Sequence, residues 1–194
     1  MADETERLAG FLYEIGLLKR YKRTGWLVAG VQDPESIADH SFRTAVIASV
    51  LAAMEGADPE RAALLSLFHD SQETRLTDLP YAARPYVTKA PNEHVTEHQT
   101  RGLPEAVRSM ITGAVAEYEG KAGAEALCAR DADKLECLLQ AIEYREHGNQ
   151  NTQPWIDSSL AQLQTASAKR LAEQAQKTGT LAWLDHPPND DRAG

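Results

Sequence analysis

Apolar residues recur at three- and four-residue intervals along most of the chain, the spacing of one helical face. Leu8, Phe11, Leu12, Ile15 and Leu18 predict a first helix over residues 4–20. The polar, glycine-containing stretch KRTGWLVAGVQDPES reads as a connection. Pro34 and Ser36 then introduce a second helix reaching about Met54, with Ala38, Phe42, Ala45, Val46, Ser49 and Val50 along it. Asp58 followed by Pro59 is an N-cap and first-turn pair, which starts a third helix in PERAALLSLFHD. Between residues 71 and 91, Pro80, Pro85 and Pro91 break any long helix. Beyond them the pattern predicts helices over 92–100, 104–118, 123–147 and 153–176. No segment alternates with a period of two in β-branched residues, so the fold class is all-α, a compact multi-helix bundle. Residues 1–180 read as one domain and 181–194 as a disordered tail ending HPPNDDRAG.

Composition narrows the function. Of 194 residues 42% are hydrophobic and 25% charged, as in an ordinary globular protein. The net charge of −9 argues against a sequence-independent grip on duplex nucleic acid, which needs a basic face. It leaves room for a small phosphorylated ligand, because a bound cation and one or two arginines reverse the local potential. There is no run of about 18 apolar residues to span a membrane, and the acidic start MADETERLAG is no secretion signal. Cys128 and Cys137 lie nine residues apart on one predicted helix. At about 1.5 Å per residue that is too far for a disulfide, so they read as reduced thiols of a cytoplasmic protein.

The residues that carry chemistry are His40 in IADHSFR, His69 and Asp70 in LFHDSQET, and Asp133 in RDADKLE. Each lies within or at the end of a predicted helix that is otherwise core-like. Asp133 shares a face with Ala126, Cys137 and Tyr144, apart from the polar stripe Glu136, Gln140, Glu143 and His147. Imidazoles and carboxylates placed where water is scarce need partners, and one shared cation satisfies all four. The mixed nitrogen and oxygen set suits one divalent ion (manganese, cobalt, magnesium, iron or nickel) more than a sulfur-rich structural zinc site. Four protein ligands leave positions open for water and phosphate on an octahedral ion.

Together with RTGW (23–26), PESIADH (34–40), FHDSQET (68–74), TDLP (77–80) and DADKL (131–135), this order resembles the HD-domain metal-dependent phosphohydrolases, in their 5′-deoxynucleotidase branch. The resemblance covers roughly residues 8–145. It implies an HD-domain helical bundle whose metal ligands are His40, His69, Asp70 and Asp133. It implies a catalytic Glu73 acting on the attacking water, a chemistry open to a carboxylate one turn from the ligands. It implies a nucleotide held by Asp78 at a sugar hydroxyl, Trp26 against the sugar, and Arg23 at the phosphate, where a guanidinium matches the geometry. Gly25 precedes Trp26 where bacterial deoxynucleotidases of this family carry an arginine, and RTGW is similar to the other branches. The implied reaction turns a nucleoside 5′-monophosphate into nucleoside and phosphate, in a homodimeric enzyme.

Other readings rest on other residues. His94 and His98, four apart on one helical face, have a spacing that suits a second metal and with it phosphodiesterase or oxygenase chemistry. Their neighbours Asn92, Glu93, Thr96, Glu97 and Gln99 instead describe a solvated face. A non-catalytic metal-binding sensor has no need of Glu73. Hydrolysis of nucleoside triphosphates, or of a specialised nucleoside phosphate, keeps the metal chemistry and changes only the pocket.

Overall fold

The computed structural model describes residues 3–185. Its helices are α1 (Glu4–Ile15), α2 (Thr24–Val28), α3 (Ile37–Glu55), α4 (Pro59–Phe68), α5 (Glu73–Leu76), α6 (Asn92–Gln99), α7 (Glu105–Gly120), α8 (Ala124–Glu146), α9 (Gln153–Gln162) and α10 (Ala166–Ala175). The described residues contain no β-strand; Lys22 and Ser36 form an isolated antiparallel bridge. The all-α expectation holds. A short 3₁₀ turn, Ala182–Asp185, occupies the start of the expected tail, and the rest of that tail lies outside the described residues. Among the described residues no helix is long and apolar enough to cross a membrane.

Local chemistry sets the helix ends. Ser36 and Asp39 form a reciprocal capping box: Asp39 N–H donates to Ser36 Oγ at 3.1 Å and Ser36 N–H donates to Asp39 Oδ2 at 2.9 Å. This fixes the first turn of α3, where His40 sits. Asp58 accepts from the N–H groups of Glu60 and Arg61 and, with Pro59 in the first turn, starts α4.

The structure departs from the pattern in three places. The first helix tightens into a 3₁₀ turn at Gly16–Lys19. The stretch read as a connection contains α2, built around Trp26. The single helix expected over 153–176 is two, and Asp131 explains the break: it is buried on α8 and accepts from Gln164 N–H, Thr165 N–H and Thr165 Oγ1. Thr165 in turn caps α10 through Ala168 N–H at 3.2 Å.

Helix α8 runs through the middle and packs on α3, α4, α9 and α10. The main core joins Leu51, Leu135, Leu138, Ile142, Ile156 and Ala172 across these elements. Smaller clusters gather Leu65 with Ala114 and Tyr118, and Phe11 with Leu103 and Ile111. On α3 the buried side is Ile37, His40, Ser41, Thr44, Ala48, Leu51 and Ala52. The apolar stripe Phe42, Val46, Val50 and Met54 faces outward, with Phe42 70% exposed. Cys128 and Cys137 are both free.

Candidate metal centre

Three helices bring the expected donors to one point. His40 comes from the first turn of α3, His69 and Asp70 from the corner where α4 ends, and Asp133 from the middle of α8. One donor atom each from His40, His69 and Asp133 lies within 4.8 Å of the others. His40 Nε2 is 3.3 Å from His69 Nε2 and 3.4 Å from Asp133 Oδ1. Asp70 Oδ2 lies 3.2 Å from His69 Nε2 and 3.7 Å from His40 Nε2.

The far side of each imidazole fixes which nitrogen faces this point. His69 Nδ1 is 2.6 Å from the Ser66 carbonyl, which can only accept, so Nδ1 carries the proton. His40 Nδ1 is 2.5 Å from Glu136 Oε2, and Glu136 Oε1 accepts from Arg43 Nε and Nη2. With each Nδ1 engaged behind its ring, both Nε2 atoms face the same point, 3.3 Å apart, where each can offer a lone pair to a cation. Two nitrogens bound at about 2.1 Å to a common ion stand about 3–3.4 Å apart. The donor chemistry thus fits a divalent cation, with hydrogen bonds behind each imidazole of the kind that orient metal ligands.

Burial and neighbouring charges pull the titratable groups of the centre in opposite directions. Burial and Arg23 work against protonated His40, yet Glu136 and Asp133 push it up to about 10. Burial opposes ionised Asp70, but His69 and Arg23 hold its carboxyl well below the usual range. Glu73 behaves in the opposite way: burial, Asp70 and Asp78 push it up to about 9, and its buried Oε2 has no hydrogen-bond partner among the described residues. Arg75, two residues further on, pairs with Glu14 at 2.7 Å. A second positive centre beside Asp70 would relieve both the carboxylates and Glu73.

Around this point lies a cleft of about 400 Å³ lined by Arg23, Trp26, Asp70, Glu73, Asp78, Asp133, Lys134 and Trp155 among others. Arg23 Nη1 reaches Asp70 Oδ2 at 3.3 Å, and Lys134 Nζ reaches Asp133 Oδ2 at 2.9 Å, so two cations flank the donor set. Asp78 Oδ2 accepts from Thr24 N–H at 2.5 Å, which ties the TDLP loop to α2 and leaves Oδ1 outside that bond. The preceding Thr77 has φ 60° and ψ 162°, a region that is essentially glycine-only. Trp26 borders the cleft but is only 2% exposed; its Nε1 donates to Glu35 at 2.8 Å and its ring meets Tyr144 edge-on at 5.2 Å.

The HD-domain family model matches residues 15–178 of this chain. The chain belongs to the HD-domain family. Human 5′-deoxynucleotidase HDDC2 is 34% identical to it over 188 residues, covering 94% of this chain and 92% of the human protein. A conserved hypothetical protein from Pyrococcus furiosus shares its structure with a TM-score of 0.72 at 31% identity, covering 88% of this chain and 99% of that one. A predicted metal-dependent phosphohydrolase from Magnetospirillum magnetotacticum follows with a TM-score of 0.64 at 25% identity, covering 88% of each.

Several functional neighbours of this HD-domain centre escaped the sequence. Glu136, on the stripe set apart from Asp133, is fully buried behind His40, with Arg43 spanning Glu136, Gln140 and Glu143. The signal was its i+3 spacing from Asp133, which points it to a neighbouring face of α8. Gln72 Nε2 reaches Thr96 Oγ1 at 2.8 Å and Gln99 Nε2 reaches Thr74 Oγ1 at 2.8 Å, so FHDSQET also fastens the HD corner to α6. Glu35 and Glu136 form a second possible donor group with His40, but the 2.5 Å bond from His40 Nδ1 to Glu136 already occupies it. His94 and His98 meet edge-on, with ring centres 4.5 Å apart, on the exposed face of α6, and among the described residues no third donor joins them.

Proposed function

We propose that this chain hydrolyses (deoxy)nucleoside 5′-monophosphates to nucleoside and inorganic phosphate, with one divalent ion held by His40, His69, Asp70 and Asp133. The observation that carries the reading is the pair of imidazole Nε2 atoms 3.3 Å apart, each with its Nδ1 engaged behind it, opening on a cleft with an unpaired carboxyl at Glu73. The name of the human relative, a 5′-deoxynucleotidase matched over nearly its whole length, supports the substrate class.

When bound, the ion supplies charge that polarises the phosphoryl group and lowers the pKa of water. In this reading Arg23 and Lys134 take phosphate oxygens from opposite sides of the donor set and hold the ester for in-line attack. Glu73, buried beside Asp70, would accept the proton of the attacking water. Asp78 Oδ1 accepts from a sugar hydroxyl, and Trp26 supplies the packed floor beneath the sugar.

The ion's identity is part of the proposal. Manganese, cobalt, magnesium, iron and nickel suit the donors, and the trio of His40, His69 and Asp133 also has the three-ligand form of catalytic zinc sites. We take residues 1–180 as one hydrolase domain and place a second copy of the chain on the outward stripe Phe42, Val46, Val50 and Met54, a homodimer that V46E would weaken in light scattering. The two free thiols support the cytoplasm as its compartment.

Phosphate release from a panel of deoxy- and ribonucleotides, with each of the six metals, tests the reading. Release by wild type and its loss together with bound metal in D133A are expected. Metal-loaded protein that releases phosphate from no nucleotide would instead favour the sensor reading.

A further inference from the structure

The cleft has a second lobe that Asp70, Glu73 and Asp78 do not line. From a floor shared with the centre at Arg23, Asp133 and Lys134, a space of about 700 Å³ runs along one face of α9. Trp155, Ser158 and Gln162 line it from that helix, at the spacing of one helical face, and Tyr81 and Arg84 line it from the opposite loop. The two lobes differ in chemistry. Trp155, Tyr81 and Arg84 border both; the lobe at the centre adds the carboxylates Asp70, Glu73 and Asp78, whereas the α9 lobe adds Val28, Pro154, Ser158 and Gln162 in their place.

The Trp155 wall is held rigidly. Trp155 lies against Trp26 at 5.6 Å between ring centres, inclined at 33°. Trp26 is itself fixed by Glu35 and Tyr144. The indole of Trp155 also comes down on Gly25, where a Cβ would stand 3.2 Å from Trp155 Nε1. An arginine at position 25 and this placement of Trp155 are therefore incompatible without a shift of the ring. Across the lobe Tyr81 is 81% exposed, with the Arg84 guanidinium 5.3 Å from its ring centre.

We infer that the α9 lobe is a nucleobase subsite, in which the base stacks on Trp155 under the Tyr81–Arg84 jaw; the inference rests on the nucleotide reading of the centre. Sugar and phosphate have acceptors and cations on the Asp78 side, and the base is the remaining part that seeks a flat apolar face. Every base has such a face, so the subsite raises affinity for all four bases alike. Gly25 acts here as a positioning residue, since its missing side chain is what lets Trp155 sit low over the cleft.

The experiment compares dAMP with deoxyribose 5-phosphate, the same ester without a base, on metal-loaded protein. The readout is the ratio of kcat/KM for the two substrates, which is insensitive to the folded fraction. In W155A that ratio falls about tenfold, the weight of one base–aromatic stack, while W155F stays within about threefold of wild type. An unchanged ratio in W155A overturns the subsite. If wild type hydrolyses neither substrate, the nucleotidase reading falls, and quenching of indole emission by deoxyadenosine decides the subsite separately. Quenching lost in W155F sustains it, and equal quenching in W155F overturns it.

Discussion

Glu136 holds His40 from behind: its Oε2 lies 2.5 Å from His40 Nδ1, and both groups are fully buried. The carboxylate is itself oriented by Arg43, at 2.8 Å and 3.0 Å on the other oxygen. A neutral amide at position 136 keeps the shape but loses the charge that makes His40 a strong donor. E136Q is therefore expected to weaken metal binding about 10–100-fold with the fold intact, as for other residues behind metal ligands. Metal titration alongside circular dichroism checks this, and unchanged affinity would show that Arg43 and Glu136 serve packing alone.

Glu73 separates binding from chemistry. It lies beside the donors, but its Oε2 has no partner among the described residues and it stands three residues beyond Asp70. E73Q should retain metal within about threefold while kcat falls by about 10²–10⁴, the range of a lost general base. Near-normal turnover in E73Q would sink the role given to it.

Two aspartates of RDADKLE, two residues apart, do opposite work. Asp133 faces the centre; Asp131 faces away and ties down the α9–α10 break with three donors. D131A leaves those buried or half-buried donors unmatched and should destabilise the protein by about 2–3 kcal/mol without changing metal affinity. Denaturant unfolding and metal titration of D131A and D133A should give reciprocal results. Metal loss in a stably folded D131A would contradict the division of labour.

These residues also mark how far the sequence could be read. The convergence of His40, His69, Asp70 and Asp133 was legible because histidines and aspartates in apolar helical surroundings need a reason, and the order of the blocks agreed with a known family. The α9–α10 break was not, because the residue that makes it, Asp131, lies more than thirty positions upstream. Which side of α3 is buried was not read from the sequence either: Phe42, Val46, Val50 and Met54 face outward, and the buried side is the one that carries His40 and Thr44. Tertiary placement decided both, and local periodicity holds no record of it. Trp155 and Lys134 were equally silent, since their meaning comes from what stands across the cleft.

Thr77 stores strain beside Asp78. A β-branched residue at φ 60°, ψ 162° costs about 1–3 kcal/mol, and glycine would remove most of it. T77G should therefore raise thermal stability by about 1 kcal/mol, less the extra freedom glycine gives the unfolded chain. It should also raise KM, because the loop that presents Asp78 loses its fixed shape. A rise in stability with KM unchanged would detach Asp78 from substrate binding.

Glu35 gives the protein a pH-dependent stability. Burial and the neighbouring Glu136 push its carboxyl from the ordinary 4.5 up to about 7, against the pull of His40, the Trp26 N–H and Arg23. A carboxyl raised in the folded state is stabilising in its protonated form, so its contribution is full below pH 4.5 and disappears as the pH rises through about 7. The side-chain amide introduced by E35Q keeps an oxygen for Trp26 Nε1 and does not titrate. The melting temperature of E35Q minus that of wild type should therefore become more positive from pH 5 to pH 8, by up to about 3 kcal/mol in free energy or several degrees. Unfolding scans in chelator at both pH values measure it. A difference that stays flat across this window would mean that Glu35 ionises like an exposed carboxylate and that Glu136 does not bear on it.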